Sequence, residues 1–79
     1  MSDQLPHLHP AACRAARALL GWGVRDLARE SGLGFDTISQ FENGRTMREG
    51  NKTRLVEVFI ANGVEVLNGD APGARLRKA

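Results

Sequence analysis

Phe35, Asp36, Thr37 and Gln40 are side chains whose chemistry suits the edges of DNA bases. Gln40 can pair bidentately with adenine, and Thr37 can hydrogen-bond a base or touch a thymine methyl. Asp36 can accept from a cytosine amino group, and Phe35 can pack on a thymine methyl. All four fall in FDTISQFEN, where Ile38 and Phe41 recur at i, i+3. If this segment is a helix with both apolar residues inward, positions 36, 37 and 40 point outward together. Arg25, Ser39, Asn43, Arg45, Thr46, Arg48 and Lys52 lie around it in the sequence and suit phosphate oxygens. Phosphate contacts fix docking and register without reading sequence. The same residues also fit a plain solvated face, with Asp36 or Thr37 as a helix cap and Asn43-Gly44 as a local turn. The elements that hold them therefore decide.

Those elements are written in GVRDLARESGLGFDTISQFENGR, residues 23–45. Val24, Leu27 and Ala28 share one helical face, with Arg25, Asp26, Arg29 and Glu30 outside. Asp26 falls in the first turn, where a negative charge suits the helix dipole. Gly32 stands just past the last periodic residue and suits the left-handed conformation that ends a helix. Leu33 plugs the corner, and Gly34 serves as N-cap of the next helix. Ala28 is small enough for two helices to cross closely. A helix, a glycine turn and a second helix with outward polar residues is the arrangement that sets one helix in the major groove of DNA.

The stretch resembles the helix-turn-helix of the phage-repressor-like regulators, the Cro and lambda-repressor type also called XRE. The matching residues are Leu20-Gly21, Leu27-Ala28, Gly32-Leu33, Thr37-Ile38-Ser39 and Glu42-Asn43-Gly44-Arg45, within residues 11–66. Two places depart from the family pattern. Gly23 and Val24 stand where members usually carry Ser then Gln, and Phe35 and Asp36 replace more common polar or basic residues. The resemblance implies that the acidic residue before Asn-Gly, here Glu42, pairs with an arginine of the first helix at the position of Arg17. That salt bridge would be structural, holding the reading helix on its scaffold. The family also implies a bacterial or phage origin.

Composition agrees without being decisive. Seventy-nine residues make one small domain with a modest core, which dimerisation would assist. The net charge of +2, from eleven Lys and Arg against nine Asp and Glu, is too weak to argue nucleic-acid binding alone. A single cysteine, Cys13, permits no internal disulfide and fits a reducing compartment. No apolar run approaches the roughly 20 residues of a membrane span, and the first residues lack the apolar core of a signal peptide. A cytoplasmic protein is expected, associated with the nucleoid when bound to DNA. The length leaves no room for a separate ligand-sensing domain, so control by concentration, partner or dimer dissociation is expected.

The rest of the chain supplies the frame. Residues 1–9 read as a flexible polar arm, ahead of a helix-turn-helix domain over residues 10–63. Pro10 suits the first position of a helix that runs through alanine-rich sequence to Leu20, with Ala12, Ala16, Leu19 and Leu20 facing the core. Trp22 is expected as a partly buried lid. Thr46-Met47-Arg48-Glu49 reads as a capping box that opens a fourth helix over residues 47–61. Leu55, Val56, Phe59 and Ile60 make its apolar stripe, and Asn62-Gly63 ends it. Residues 64–79 change character: V-E-V-L favours strand, residues 68–73 are dense in turn formers, and residues 74–77 alternate. The fold class expected is mainly α, a four-helix lambda-repressor-like domain with a short C-terminal β-hairpin or extended tail. An isolated hairpin is marginal in water, so it must pack on helices or pair with a second chain.

No cofactor, metal or catalytic set is expected. His7 and His9 form H-x-H, a weak metal pair without further ligands. Cys13 lies among alanines as a small helical residue. Nine glycines are scattered rather than gathered as a phosphate-binding loop, and there is no tyrosine. Arg75, Arg77 and Lys78 make a basic tail able to touch DNA backbone or simply to solubilise a strand. The function expected is a non-enzymatic regulator that binds a double-stranded, pseudo-palindromic operator as a homodimer, usually repressing by occlusion. The rivals are an antitoxin-type autorepressor with a toxin partner, an activator touching polymerase through the helix over residues 24–31, and an interaction module that has lost DNA binding.

Overall fold

The computed structural model describes residues 8–67 and 72–77. Four helices, α1 (Pro10–Leu20), α2 (Val24–Ser31), α3 (Phe35–Glu42) and α4 (Glu49–Ala61), precede two strands, β1 (Val64–Leu67) and β2 (Gly73–Leu76). Residues 1–7 of the expected arm, with His7 of the H-x-H pair, residues 68–71 of the turn-rich segment expected over 68–73, and the tail residues Lys78 and Ala79 lie outside the described residues. Pro10 opens α1, where its missing N–H is one that the first turn would leave unpaired anyway. α1 ends at Gly21, where Gly21 N–H donates to the Ala18 carbonyl and Trp22 N–H to the Arg17 carbonyl. That pair of bonds satisfies two helix-end carbonyls and turns the chain toward α2.

The α2–α3 turn follows its sequence signals closely. Gly23 and Gly34 stand as extended N-caps of α2 and α3. Gly32 takes φ +78°, and its N–H donates to the Ala28 carbonyl. Only glycine enters that left-handed region without Cβ strain, so the corner depends on it. Leu33, Val24 and Ala28 pack partly buried against the core beside it. Asp26 does more than complement the dipole: Gly23 N–H donates to its Oδ2 at 2.8 Å, while Arg29 donates to its Oδ1 at 2.8 Å.

One core joins α1, α2, α3, α4 and the hairpin, with Leu27, Ile38, Leu55, Phe59 and Val64 at its centre. The hairpin is antiparallel and pairs Val64 with Leu76, Glu65 with Arg75, Val66 with Ala74 and Leu67 with Gly73. Val64 and Val66 bury their side chains, so β1 carries the alternation that seats the hairpin on the helices. Both strands pack against α1, and β1 also against α4. Among the described residues, no helix is long and apolar enough to cross a membrane.

Four expectations are corrected. Leu8, placed in the loose arm, is buried at 2 % exposure and belongs to the core. Leu19 is 40 % exposed, and Cys13 takes the buried place on α1 instead. The fourth helix starts at Glu49 with Arg48 as N-cap and no side-chain cap, so Thr46 opens no capping box. Met47 is buried, and committing it to the core carries the chain past Thr46 before the helix can begin. Ile60 is 45 % exposed, because the buried arc of α4 runs through Leu55, Val56 and Phe59 with Val58 on its other flank. At 3.6 residues per turn, Ile60 falls beyond Val56 on the margin of that arc.

Candidate nucleic-acid interface

The position of α3 is set from its inner face. Ile38 and Phe41 are buried in the core, and Glu42 is buried with them. A carboxylate there needs partners, because an uncompensated buried charge is strongly unfavourable. α1 supplies them. Arg17 Nη2 donates to Glu42 Oε1 at 2.6 Å and Arg17 Nε to Glu42 Oε2 at 2.8 Å, a two-point clamp. The third arm of the guanidinium, Nη1, donates to the Trp22 carbonyl at 3.0 Å. One side chain therefore ties α1, the turn before α2 and the end of α3. The ion pair implied by the family resemblance is present in this geometry, with side-chain exposures of 17 % for Arg17 and 6 % for Glu42.

Two further side chains of α1 bond to the same residue, one to its carboxylate and one to its main chain. The Cys13 thiol donates to Glu42 Oε2 at 3.1 Å, and Arg14 donates to the Glu42 main-chain carbonyl. Burial pushes the Glu42 carboxyl up, but the Arg17 and Cys13 hydrogen bonds and the two arginine charges outweigh it and hold it below the ordinary glutamate value. Burial, reinforced by bonding to the Glu42 carboxylate, pushes the Cys13 thiol far above its ordinary range, so it is a structural donor rather than a nucleophile. Neither Cys13 nor Arg14 was expected in this role. The signal was present: residues 13, 14 and 17 lie within one helical turn, where i, i+3 and i, i+4 side chains meet.

The outer face of α3 differs. Phe35, Asp36, Thr37 and Gln40 are all exposed. Among the described residues, the side chains of Asp36, Thr37 and Gln40 make no hydrogen bond or ion pair. Phe35 meets one partner: the Arg25 guanidinium carbon lies 5.3 Å from its ring centroid. A cation–π contact at an exposed site contributes about 0.5–1 kcal/mol. Arg25 is thus held at the start of α3 by a side chain of that helix rather than ranging freely.

Beyond α3 the backbone turns sharply. Gly44 takes φ +102°, its N–H donates to the Phe41 carbonyl, and Arg45 N–H donates to the Gln40 carbonyl at 2.9 Å. These two bonds close the end of α3 and fix where Arg45 leaves the helix. Asn43, Arg45, Thr46 and Arg48 are exposed around this turn. Asn43 has a local task as well, its N–H donating to the Ser39 and Gln40 carbonyls. Ser39 is half-buried. Lys52 departs most from its expected phosphate role: its Nζ donates to Glu49 Oε2 at 3.2 Å, and the side chain is only 17 % exposed. Arg54, which sequence reading passed over, donates to the Ser31 carbonyl at 2.8 Å and braces the end of α2 against α4. Ser31 is itself buried, its hydroxyl accepting from Leu33 N–H at 3.2 Å.

No family model matches the chain, and no curated protein matches it. Function therefore rests on the geometry just described: an anchored helix with an unengaged polar face, bordered by Arg25 at its start and by Arg45 and Arg48 past its end.

Proposed function

We propose that this chain is a sequence-specific DNA-binding regulator that lays α3 in the major groove and represses by occupying its operator. The observation that carries this reading is the asymmetry of α3. Its inner side is pinned by Ile38, Phe41 and the Arg17–Glu42 clamp, while Asp36, Thr37 and Gln40 stand exposed without partners among the described residues. In this reading Gln40 and Thr37 carry most of the base recognition, with Asp36 selecting for a cytosine amino group and Phe35 for a thymine methyl. Arg25, Asn43, Arg45, Thr46 and Arg48 hold phosphates and set the docking angle, and Ser39 and Lys52 contribute less because they are half-buried. The protein acts as a homodimer in the cytoplasm, so that two α3 helices meet half-sites about 34–36 Å apart.

Selection of duplexes from a random library tests the reading. The intact protein is expected to enrich a two-fold symmetric motif, and the Gln40→Ala variant to relax one position of it in each half-site. Failure of the folded protein to enrich any motif at low salt would overturn it.

A further inference from the structure

Arg25 and Phe35 join the starts of α2 and α3 through side chains that the core does not use. Phe35 is 44 % exposed, and no other aromatic ring among the described residues is left so open. The Arg25 guanidinium lies over its ring, 5.3 Å from the centroid. Among the described residues Arg25 makes no hydrogen bond, so its N–H groups stay available while its charge sits over the ring. A guanidinium held over the ring limits where the ring can turn. An aromatic surface presented at the start of a helix that enters the major groove meets only one apolar group on the base edges there, the C5-methyl of thymine.

We propose that Arg25 is a positioning residue that holds the Phe35 ring against a thymine methyl, so that the pair reads one thymine in each half-site. The proposal rests on the reading of α3 given above. It adds to it a second task for Arg25 besides phosphate contact, that of fixing the ring that meets the methyl.

The test uses the intact protein and the motif it enriches from random duplexes. Each thymine of that motif is replaced in turn by deoxyuridine, which removes only the methyl, and affinities are compared. One thymine per half-site is expected to show a loss of about four-fold, equivalent to about 0.8 kcal/mol for one buried methyl. Phe35→Ala is expected to abolish that discrimination. Arg25→Ala is expected to diminish the ratio between the thymine and uracil duplexes. An arginine that only bound phosphate would weaken both duplexes equally and leave the ratio intact, which would overturn the proposal. In a Phe35→Leu background, which keeps an apolar contact but no ring face, Arg25→Ala is expected to leave the ratio unchanged; a change there would equally overturn the coupling. Both side chains are exposed, so folding of each variant is checked by circular dichroism. A motif with no methyl-sensitive thymine overturns this proposal alone, whereas the absence of any motif overturns the DNA-reading function beneath it.

Discussion

On one side of α3, Ile38, Phe41 and Glu42 are buried and every strong polar group among them has a partner. On the other, eight residues of helix expose Asp36, Thr37 and Gln40, and no side chain among the described residues engages them. The inner side spends three α1 side chains, Cys13, Arg14 and Arg17, on one glutamate. A short helix contributes little stability of its own, so its orientation must come from such tertiary contacts. The difference teaches that α3 is anchored from one face only, leaving the other unengaged. In the proposed reading, contacts that position and contacts that recognise are kept on opposite faces, and they can be broken separately.

The largest expected effect comes from the inner face. Glu42→Ala leaves Arg17 without its counter-charge and is expected to destabilise the protein by about 3 kcal/mol in urea unfolding. A loss of at most about 1 kcal/mol would instead mark the clamp as an ordinary surface pair. The same pair predicts a pH dependence. Because the folded-state value of Glu42 is depressed, its stabilisation is present in full above the unfolded-state glutamate value near 4.3 and is lost as pH falls through the lower folded-state value. Glu42→Gln should flatten that part of the acid unfolding profile.

The outer face should respond in binding and not in stability. Gln40→Ala is expected to weaken binding to the cognate duplex by about 1–3 kcal/mol at the base it reads. Its unfolding free energy should stay within about 0.5 kcal/mol of the parent, as for other exposed substitutions. Arg45→Ala and Arg48→Ala should each lower the slope of log K against log salt by about one, alike on cognate and scrambled DNA. Lys52→Ala should give the smallest change, well under about one in that slope, because Glu49 already holds its ammonium. A Lys52 effect equal to that of Arg45 would show that DNA displaces the Glu49 contact.

Much of the inner frame was legible in the sequence, and particular residues show why. Gly32 announces the corner between two helices because few residues other than glycine suit its left-handed conformation, and Ile38 and Phe41 mark the inward face of α3 by local periodicity. The Arg17–Glu42 clamp spans 25 positions, and no local rule reaches across them; it was implied by family resemblance alone. Thr46 shows a local signal overridden by packing, since burial of Met47 delays the start of α4. Leu8 had no periodic neighbours to betray that it reaches the core. On the outer face, the exposure of Asp36, Thr37 and Gln40 followed from the helix period, but the stacking of Arg25 on Phe35 did not. That contact depends on the angle between two helices, which residue types do not encode.

The central claim, that the unengaged face of α3 reads DNA sequence, is tested most directly by fluorescence anisotropy. The purified protein and its Gln40→Ala variant would be titrated against the DNA upstream of its own gene and against a scrambled duplex of equal length, over a salt series. The account predicts tight binding to the native duplex alone, weakened in the variant while its fold stays intact. No binding to either duplex at low salt, or equal binding to both that Gln40→Ala leaves unchanged, would contradict it.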